Sequence, residues 1–231
     1  MRIRTRLSAL VVASTFALVG CGSDGGGSDD GIADLSADKI LAAAEKQLAK
    51  EDFVTIEGKG TDAESDSEIE VDLAFAGETA SGSVGVSGMQ LELLKADGKS
   101  YFKADKAFFE STGAPAEAMN LIGDKWVLID PNNQSFAALG NFVSKDKFVE
   151  ELLDPEGKVT KGKEKKVNGV DCVALNDGEG TLYVDKEDGK PVSLVSGDAE
   201  GEGTLNFSYD KVDEATAPSS DEVVDLASLG S

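Results

Sequence analysis

Strict alternation of apolar and polar residues is the feature that most restricts how this chain can fold. From Glu68 to Phe75 every second residue is apolar, and acids or alanine stand between them. Successive side chains of a strand point to opposite faces, so this pattern gives a strand one apolar and one wet face. The same alternation precedes Asp97-Gly98, a dipeptide typical of hairpin turns, and strand patterns return after Pro155. The sequence therefore predicts two groups of antiparallel strands.

Helix-forming segments precede and separate these groups of strands. Ser36 is a good N-cap for Ala37 to Lys50, and Ser144 is one for Lys145 to Leu153. No internal repeat or compositional break divides the folded region, which we place at residues 36–213 as one domain. A sheet of about nine to eleven strands curls or closes. The predicted fold class is α+β: a large curved antiparallel sheet, or half-open β-barrel, with helices covering its concave side.

The N-terminus has the organisation of a bacterial lipoprotein signal. Three arginines within the first six residues precede an apolar run from Leu7 to Leu18. The run is shorter than the roughly 20 residues that span a bilayer, and it suits the apolar core of a secretory signal. It leads into Leu18-Val19-Gly20-Cys21, which resembles a lipobox. We predict a signal peptide over residues 1–20 and acylation at Cys21, by chains such as palmitate; the alternative is an ordinary signal with a chance cysteine.

Lipidation determines where the protein would lie. Residues 21–35 are predicted to form the acylated cysteine and a flexible tether of glycine, serine and aspartate. Two or more acyl chains hold a protein firmly, so we predict an N-terminal lipid anchor at the outer face of the cytoplasmic membrane, in the cell envelope. Residues 214–231 are predicted to be an acidic C-terminal tail. Cys172 has apolar neighbours and is predicted to be a buried small hydrophobe.

The charge balance excludes several classes of function. The chain has 44 acidic and 22 basic residues, a formal net charge of −22, and no histidine. Binding to nucleic acid needs a basic face, so no nucleic-acid partner is expected. The lack of histidine removes the commonest general base and the commonest metal ligand. We expect no cofactor and no metal, and the sequence identifies no protein partner.

Two short motifs invite a chemical interpretation, and both have simpler explanations. Ser144-Lys145-Asp146-Lys147 fits the Ser-x-x-Lys pattern of penicillin-recognising enzymes, but no Ser-Asp-Asn or Lys-Thr-Gly element accompanies it. Ser144 is better explained as a helix cap. The acids Asp62, Glu64, Asp66 and Glu68 could bind calcium in a loop, but they lack the glycine and the spacing of a calcium loop. We predict a solvated turn there, no catalytic residues, and a protein that is not an enzyme.

Four segments carry a resemblance to a known family. They are a hairpin with aromatic residues, a strand with the single tryptophan, an Asn-Gly turn and a second hairpin: Asp97-Gly98-Lys99-Ser100-Tyr101-Phe102-Lys103-Ala104, Lys125-Trp126-Val127-Leu128-Ile129-Asp130, Val167-Asn168-Gly169-Val170, and Leu182-Tyr183-Val184-Asp185 through Gly189-Lys190-Pro191. With the lipobox and the order of elements, the chain resembles the LppX/LprA/LprF/LprG lipoproteins of actinobacterial envelopes, which are similar in fold to the LolA lipoprotein carriers. The resemblance implies a hydrophobic cavity that holds acyl chains of envelope lipids or lipoglycans.

The alternating strands offer a lining for such a cavity. The predicted apolar concave face consists of Val71, Leu73, Phe75, Val84, Val86, Met89, Leu91, Leu93, Leu205 and Phe207. Gly82 and Gly85 would leave space for a ligand. Ordinary core packing requires the same alternation, so the residues alone leave both interpretations open. Two functions follow: a lipoprotein that binds acylated envelope lipids and could shuttle them, or a non-catalytic structural or interaction lipoprotein with a filled core and an acidic surface.

Overall fold

The structure is a computed structural model, which describes residues 31–62, 67–113, 116–131, 136–155, 157–198 and 201–226. The predicted signal peptide, the lipidation site Cys21 and most of the predicted tether lie outside these residues. The described helices are Ala37–Lys50 (α1), Lys106–Ser111 (α2), Ala116–Ile122 (α3), Leu139–Phe142 (α4) and Lys145–Leu153 (α5). Both α1 and α5 begin and end where the sequence predicts.

The described strands form one sheet, which is antiparallel except where β13 pairs with β6. They are Phe53–Asp62 (β1), Ser67–Ala76 (β2), Thr79–Val86 (β3), Met89–Ala96 (β4), Lys99–Ala104 (β5), Trp126–Leu128 (β6), Thr160–Lys161 (β7), Lys165–Val167 (β8), Val170–Asn176 (β9), Gly180–Asp185 (β10), Pro191–Asp198 (β11), Gly201–Ser208 (β12) and Val223–Val224 (β13). Their order is β13-β6-β5-β4-β3-β2-β1-β12-β11-β10-β9-β7, and β8 pairs with β9. The predicted fold class, α+β with a large, curved, open antiparallel sheet and helices on one face, is confirmed.

The first group of strands follows the hairpin signal in the sequence. Asp97 and Gly98 join β4 to β5 with φ angles of 52° and 72°. Positive φ at both central residues is what a two-residue hairpin turn of this kind requires. The resulting register places Leu93 opposite Phe102, and in turn opposite Gly82 of β3. Directly paired residues share a face, so the apolar positions of successive strands collect on one side of the sheet.

Helices cover that apolar side and bury it. α1 contributes Ile40, Ala44 and Leu48 to the hydrophobic core, which also contains the alternating residues of β2 and β4. Phe148 of α5 stacks on Phe75 of β2 with ring centroids 6.2 Å apart. The core therefore lies between the sheet and the pair α1 and α5.

A cluster of phenylalanines fills the other end of the covered face. Phe102 of β5 is fully buried. Its ring centroid lies 6.1 Å from that of Phe108, 6.0 Å from that of Phe109 and 5.0 Å from that of Phe136. Aromatic pairs at these separations stabilise a core beyond the apolar area that they bury. This part of the covered face is close-packed, as in an ordinary protein interior.

Gly58 allows β1 and β12 to approach very closely. A Cβ atom at this position would lie 1.9 Å from the carbonyl oxygen of Thr204 and 2.9 Å from the Cα of Leu205. Backbone atoms cannot move aside as a flexible side chain can, so only glycine fits here. Glycines at such positions permit a sheet to curve. The pair β1 and β12 is also the place where the two groups of strands join.

The opposite face of the sheet carries the polar half of the alternation. Glu57 of β1 lies opposite Asp72 of β2 in the strand register. Lys59 forms an ion pair with Glu70 on the neighbouring strand. Both partners are well exposed, so this pair contributes little to stability. The uncovered face is thus strongly acidic, in agreement with the net charge of the chain.

Both ends of the described chain are held more firmly than the sequence predicts. Val223 and Val224 pair with β6, and Val224 is buried. Within the predicted acidic tail, residues 214–231, these two valines thus form an edge strand, because they bury apolar area against the edge of the sheet. At the other end, the backbone N–H of Ile32 donates to the carbonyl oxygen of Lys186 over 3.0 Å. The fold thus includes residues that were predicted to belong to the tether.

Candidate lipid-binding site

A row of small residues crosses four neighbouring strands on the helix-covered face. Gly180 of β10 pairs with Ser196 of β11, and Ser196 pairs with Gly203 of β12. Gly203 in turn pairs with Gly60 of β1. Three glycines and a serine leave this part of the face almost without side chains. Ile69 of β2, which pairs with Gly60, ends the row.

The first apolar cavity lies along this row and has a volume of about 50 Å³. Its apolar lining comes from Ile69 and Val71 of β2, Leu194 of β11 and Leu205 of β12. The remaining lining residues are small, polar or charged: Lys59, Gly60, Thr61, Ser196, Gly203 and Thr204. The cavity is partly open to solvent. An apolar ligand could therefore enter it from outside.

A second apolar cavity, also of about 50 Å³, adjoins the first beneath the helices. Leu41 of α1 and Leu152 of α5 face Leu175 and Leu182 of the sheet across it. Leu194 lines this cavity as well as the first one. We call the two cavities together the trough. The trough crosses the sheet from β2 to β9.

The strand register places all ten residues of the predicted apolar face on one side of the sheet. Two of them, Val71 and Leu205, line the trough. Val86 and Met89 are half-buried near the same ends of the strands. The other six are buried core residues away from the trough: Leu73, Phe75, Val84, Leu91, Leu93 and Phe207.

The two glycines that the sequence offered as ligand space do not provide it. Gly85 pairs with Glu70 and Gln90 and therefore lies on the opposite, polar face. Gly82 is on the covered face, but a Cβ atom there would lie 2.0 Å from the backbone oxygen of Asp72. The room beside Gly82 is thus occupied by the neighbouring strand. Both predictions are wrong, since space in a sheet depends on which strands approach closely.

Sequence reasoning missed most residues of the trough, although one signal for them exists. Gly58-Lys59-Gly60-Thr61 and Gly201-Glu202-Gly203-Thr204 share the pattern Gly-x-Gly-Thr. They lie in β1 and β12, which are neighbours in the sheet. The repeated pattern marks strands that lack side chains on alternate positions. It does not reveal that the two strands pair, because that pairing connects distant parts of the chain.

Two larger cavities are bordered by charged side chains, and neither lies on the row of small residues. One, of about 490 Å³, lies between α1 and α5 and is lined mainly by Glu45, Lys145, Asp146, Glu150 and Asp154 together with Ala49 and Val149. Burial, and then the nearby carboxylate of Asp154, raise the pKa of Glu45. The other, of about 400 Å³, lies on the acidic face beside Glu57 and Asp72. Carboxylates in both places favour water over hydrocarbon.

Three described residues were candidates for covalent chemistry: Lys145, Ser144 and Cys172. Lys145 donates to the carbonyl oxygens of Ala49 and Glu51 over 3.2 and 2.6 Å, which closes the end of α1. Ser144 is the N-cap residue of α5, as predicted, but its side chain makes no capping hydrogen bond. Cys172 is buried, as predicted, and burial raises the pKa of its thiol. Among the described residues, no group of acids and cysteine is arranged to hold a metal ion.

In the part of the chain that the structure describes, no helix combines the length and the apolar character needed to cross a bilayer.

Comparison with known proteins gives matches among solved structures. No family model matches the chain, and no curated protein matches it. LprF from Mycobacterium bovis is 12% identical over 78% of this chain and 96% of that chain, with a TM-score of 0.48. The lipoprotein LppX from Mycobacterium tuberculosis is 11% identical over 78% of this chain and 100% of that chain, with a TM-score of 0.44. A LolA superfamily protein from Nitrosomonas europaea is 10% identical over 75% and 92%, with a TM-score of 0.25.

The first two of these proteins carry names from the family that the sequence resembles. At such identities and TM-scores the likeness is remote. We therefore derive the function from the geometry of this chain.

Proposed function

We propose that this protein is a membrane-anchored extracytoplasmic lipoprotein that binds an acyl chain of an envelope lipid in the trough. The observation that carries the proposal is the row from Gly180 to Gly60, which keeps an apolar face free of side chains beside a close-packed core. A packed interior normally fills such space. Of the predicted lining, Val71 and Leu205 would contact the chain, together with Ile69 and Leu194.

The trough is long enough to hold one hydrocarbon chain. Five strand spacings separate β2 from β9, which amounts to about 24 Å along the sheet. The hydrocarbon core of a bilayer is about 30 Å thick and holds two layers of chains, so one chain spans about 15 Å. Each cavity of about 50 Å³ is smaller than a typical ligand pocket of 300–1,000 Å³. Binding must therefore displace side chains that line the trough.

The anchor belongs to the same proposal. Acylation of Cys21, followed by a tether rich in glycine, serine and aspartate, would hold the domain near the outer face of the cytoplasmic membrane. The chain joins the fold at Ile32, beside Lys186 at the end of β10. Gly180, at the start of β10, lines the second cavity, and its register partner Ser196 lines the first, so this part of the trough is at the opposite end of β10 from Lys186. A chain released from the trough could pass to a partner, which would make the protein a carrier.

We also propose that the protein acts by binding and not by catalysis. Among the described residues, the serine, lysine and cysteine considered above contribute to packing or to backbone hydrogen bonds. None of these three lines the trough, and the hydroxyl residues that do, Thr61, Ser196 and Thr204, have no histidine to act as their base, because the chain contains none. A hydrolytic site would require a nucleophile and a base within hydrogen-bond distance of the bound chain.

One observation favours the second candidate function, a structural or interaction lipoprotein. Much of the covered face is filled core, because four of its large side chains are at most 1% exposed: Leu73, Phe75, Leu93 and Phe102. The acidic face could then engage a cationic partner. This candidate predicts that the protein takes up no acyl chain.

The binding of an uncharged alkyl probe separates the two functions. We would titrate the chain from residue 22 onward, which retains every described residue, with dodecyl dansylamide. The absence of charge on the probe avoids repulsion by the acidic protein. We expect enhanced, blue-shifted fluorescence that saturates and that dodecanol reverses but butanol does not. An unchanged probe spectrum would contradict acyl binding and favour the interaction lipoprotein.

A further inference from the structure

We infer that Leu194 is the residue that limits how long a chain the trough accepts. The inference rests on the proposed function and specifies one side chain of the same site. Leu194 borders the first cavity together with Ile69 and Leu205, and it borders the second together with Leu182 and Leu152. Both linings include Leu194, so we place its side chain at the boundary between the two apolar spaces.

Distances along the sheet show what this separation means for a ligand. The first cavity reaches from β2 to β11, which is three strand spacings or about 14 Å. The second reaches from β11 to β9, which adds two spacings or about 10 Å. A chain that stops at Leu194 uses only the first cavity. A longer chain must pass Leu194 to reach the space beneath α1 and α5.

The surroundings of Leu194 allow its side chain to move. Leu182 and Leu205 flank it in the register, and they are only 6% and 8% exposed. Leu194 is half-buried and packs against the edge of the core. Ser196 lies two residues after Leu194 in β11 and on the same face of the sheet. Gly180 of β10 lies opposite Ser196. The small neighbours leave room on this side for another staggered conformation of the leucine.

Substitutions at this position test the inference through the dependence of binding on chain length. We would measure displacement of dodecyl dansylamide by octanol, dodecanol and hexadecanol. Leu194→Ala is expected to raise the affinity for hexadecanol relative to that for octanol about tenfold, the factor for burying roughly two further methylene groups. Leu194→Phe is expected to weaken hexadecanol relative to octanol, because the larger ring projects into both cavities.

A neighbouring residue supplies the matched control. Val195 is the next residue of β11 and therefore points to the opposite face. Val195→Ala should leave the chain-length profile unchanged, and thermal unfolding should show that all three variants fold. If the Leu194→Ala variant is too unstable to measure, the chain-length profile of the Leu194→Phe variant still tests the inference.

The outcomes separate this inference from the proposed function. If both Leu194 variants bind all three alcohols with the profile of the unsubstituted protein, Leu194 is not the limit, although acyl binding stands. If neither the protein nor its variants bind any alcohol, both the proposed function and the role of Leu194 fail.

Discussion

The Gly58→Ala substitution is expected to destabilise the domain by about 3 kcal/mol or more, which places it among the severe single substitutions. The added Cβ would lie 1.9 Å from the carbonyl oxygen of Thr204. Relief requires β1 to move away from β12, and that pair joins the two groups of strands. The same movement would separate Gly60 from Gly203. We therefore expect the variant to lose probe binding together with stability.

Urea unfolding, with Gly197→Ala as the matched control, measures this effect. Gly197 also lies in a strand, but a Cβ atom there meets nothing within 4 Å. Its replacement is expected to change the free energy of unfolding by no more than about 0.5 kcal/mol. Equal unfolding midpoints for the two variants would contradict the close approach of β1 and β12.

The Ser196→Leu substitution is expected to abolish acyl binding without unfolding the protein. Ser196 lies in the middle of the row of small residues and lines the first cavity. A leucine side chain there would occupy the space that the ligand needs. We expect the affinity for dodecyl dansylamide to fall by about a hundredfold, or about 2.7 kcal/mol. The stability should stay the same or rise, since the new side chain buries apolar area.

A leucine placed on the opposite face controls for the change in hydrophobicity. Ser83 of β3 pairs with Asp72 and Glu92 on the acidic face. Ser83→Leu should leave probe affinity within about twofold of the unsubstituted protein, because the trough is untouched. Retained binding in the Ser196→Leu variant, with a normal unfolding midpoint, would place the ligand somewhere other than the trough.

Local patterns in the sequence were sufficient to predict the elements that line the core. Alternation in β2 identified Leu73 and Phe75 as one face, and the Asp97-Gly98 turn fixed how β4 meets β5. Helices α1 and α5 were predicted to the residue from their caps and apolar stripes. These features depend on neighbours within a few residues, which a single sequence displays directly.

The trough could not be predicted in the same way, because it depends on pairing between distant strands. Gly60 and Gly203 line one cavity only because β1 lies beside β12. Gly85 shows the opposite case: it belongs to β3, a strand of the covered sheet, but its register places it on the polar face. In the sequence, the two valines of β13 likewise look like part of an acidic tail. Only the fold shows that they pair with the edge strand β6. Each case needs the three-dimensional register, which local propensity does not contain.

Native mass spectrometry of the full chain tests the central claim most directly. The protein would be extracted in mild detergent from membranes of an actinobacterial host. We predict a chain that begins at Cys21 with a covalent acyl mass, and a further mass that organic extraction removes. The second mass would identify the class of bound lipid. A chain that carries no removable mass and takes up no offered lipid would contradict acyl binding and favour the structural or interaction lipoprotein.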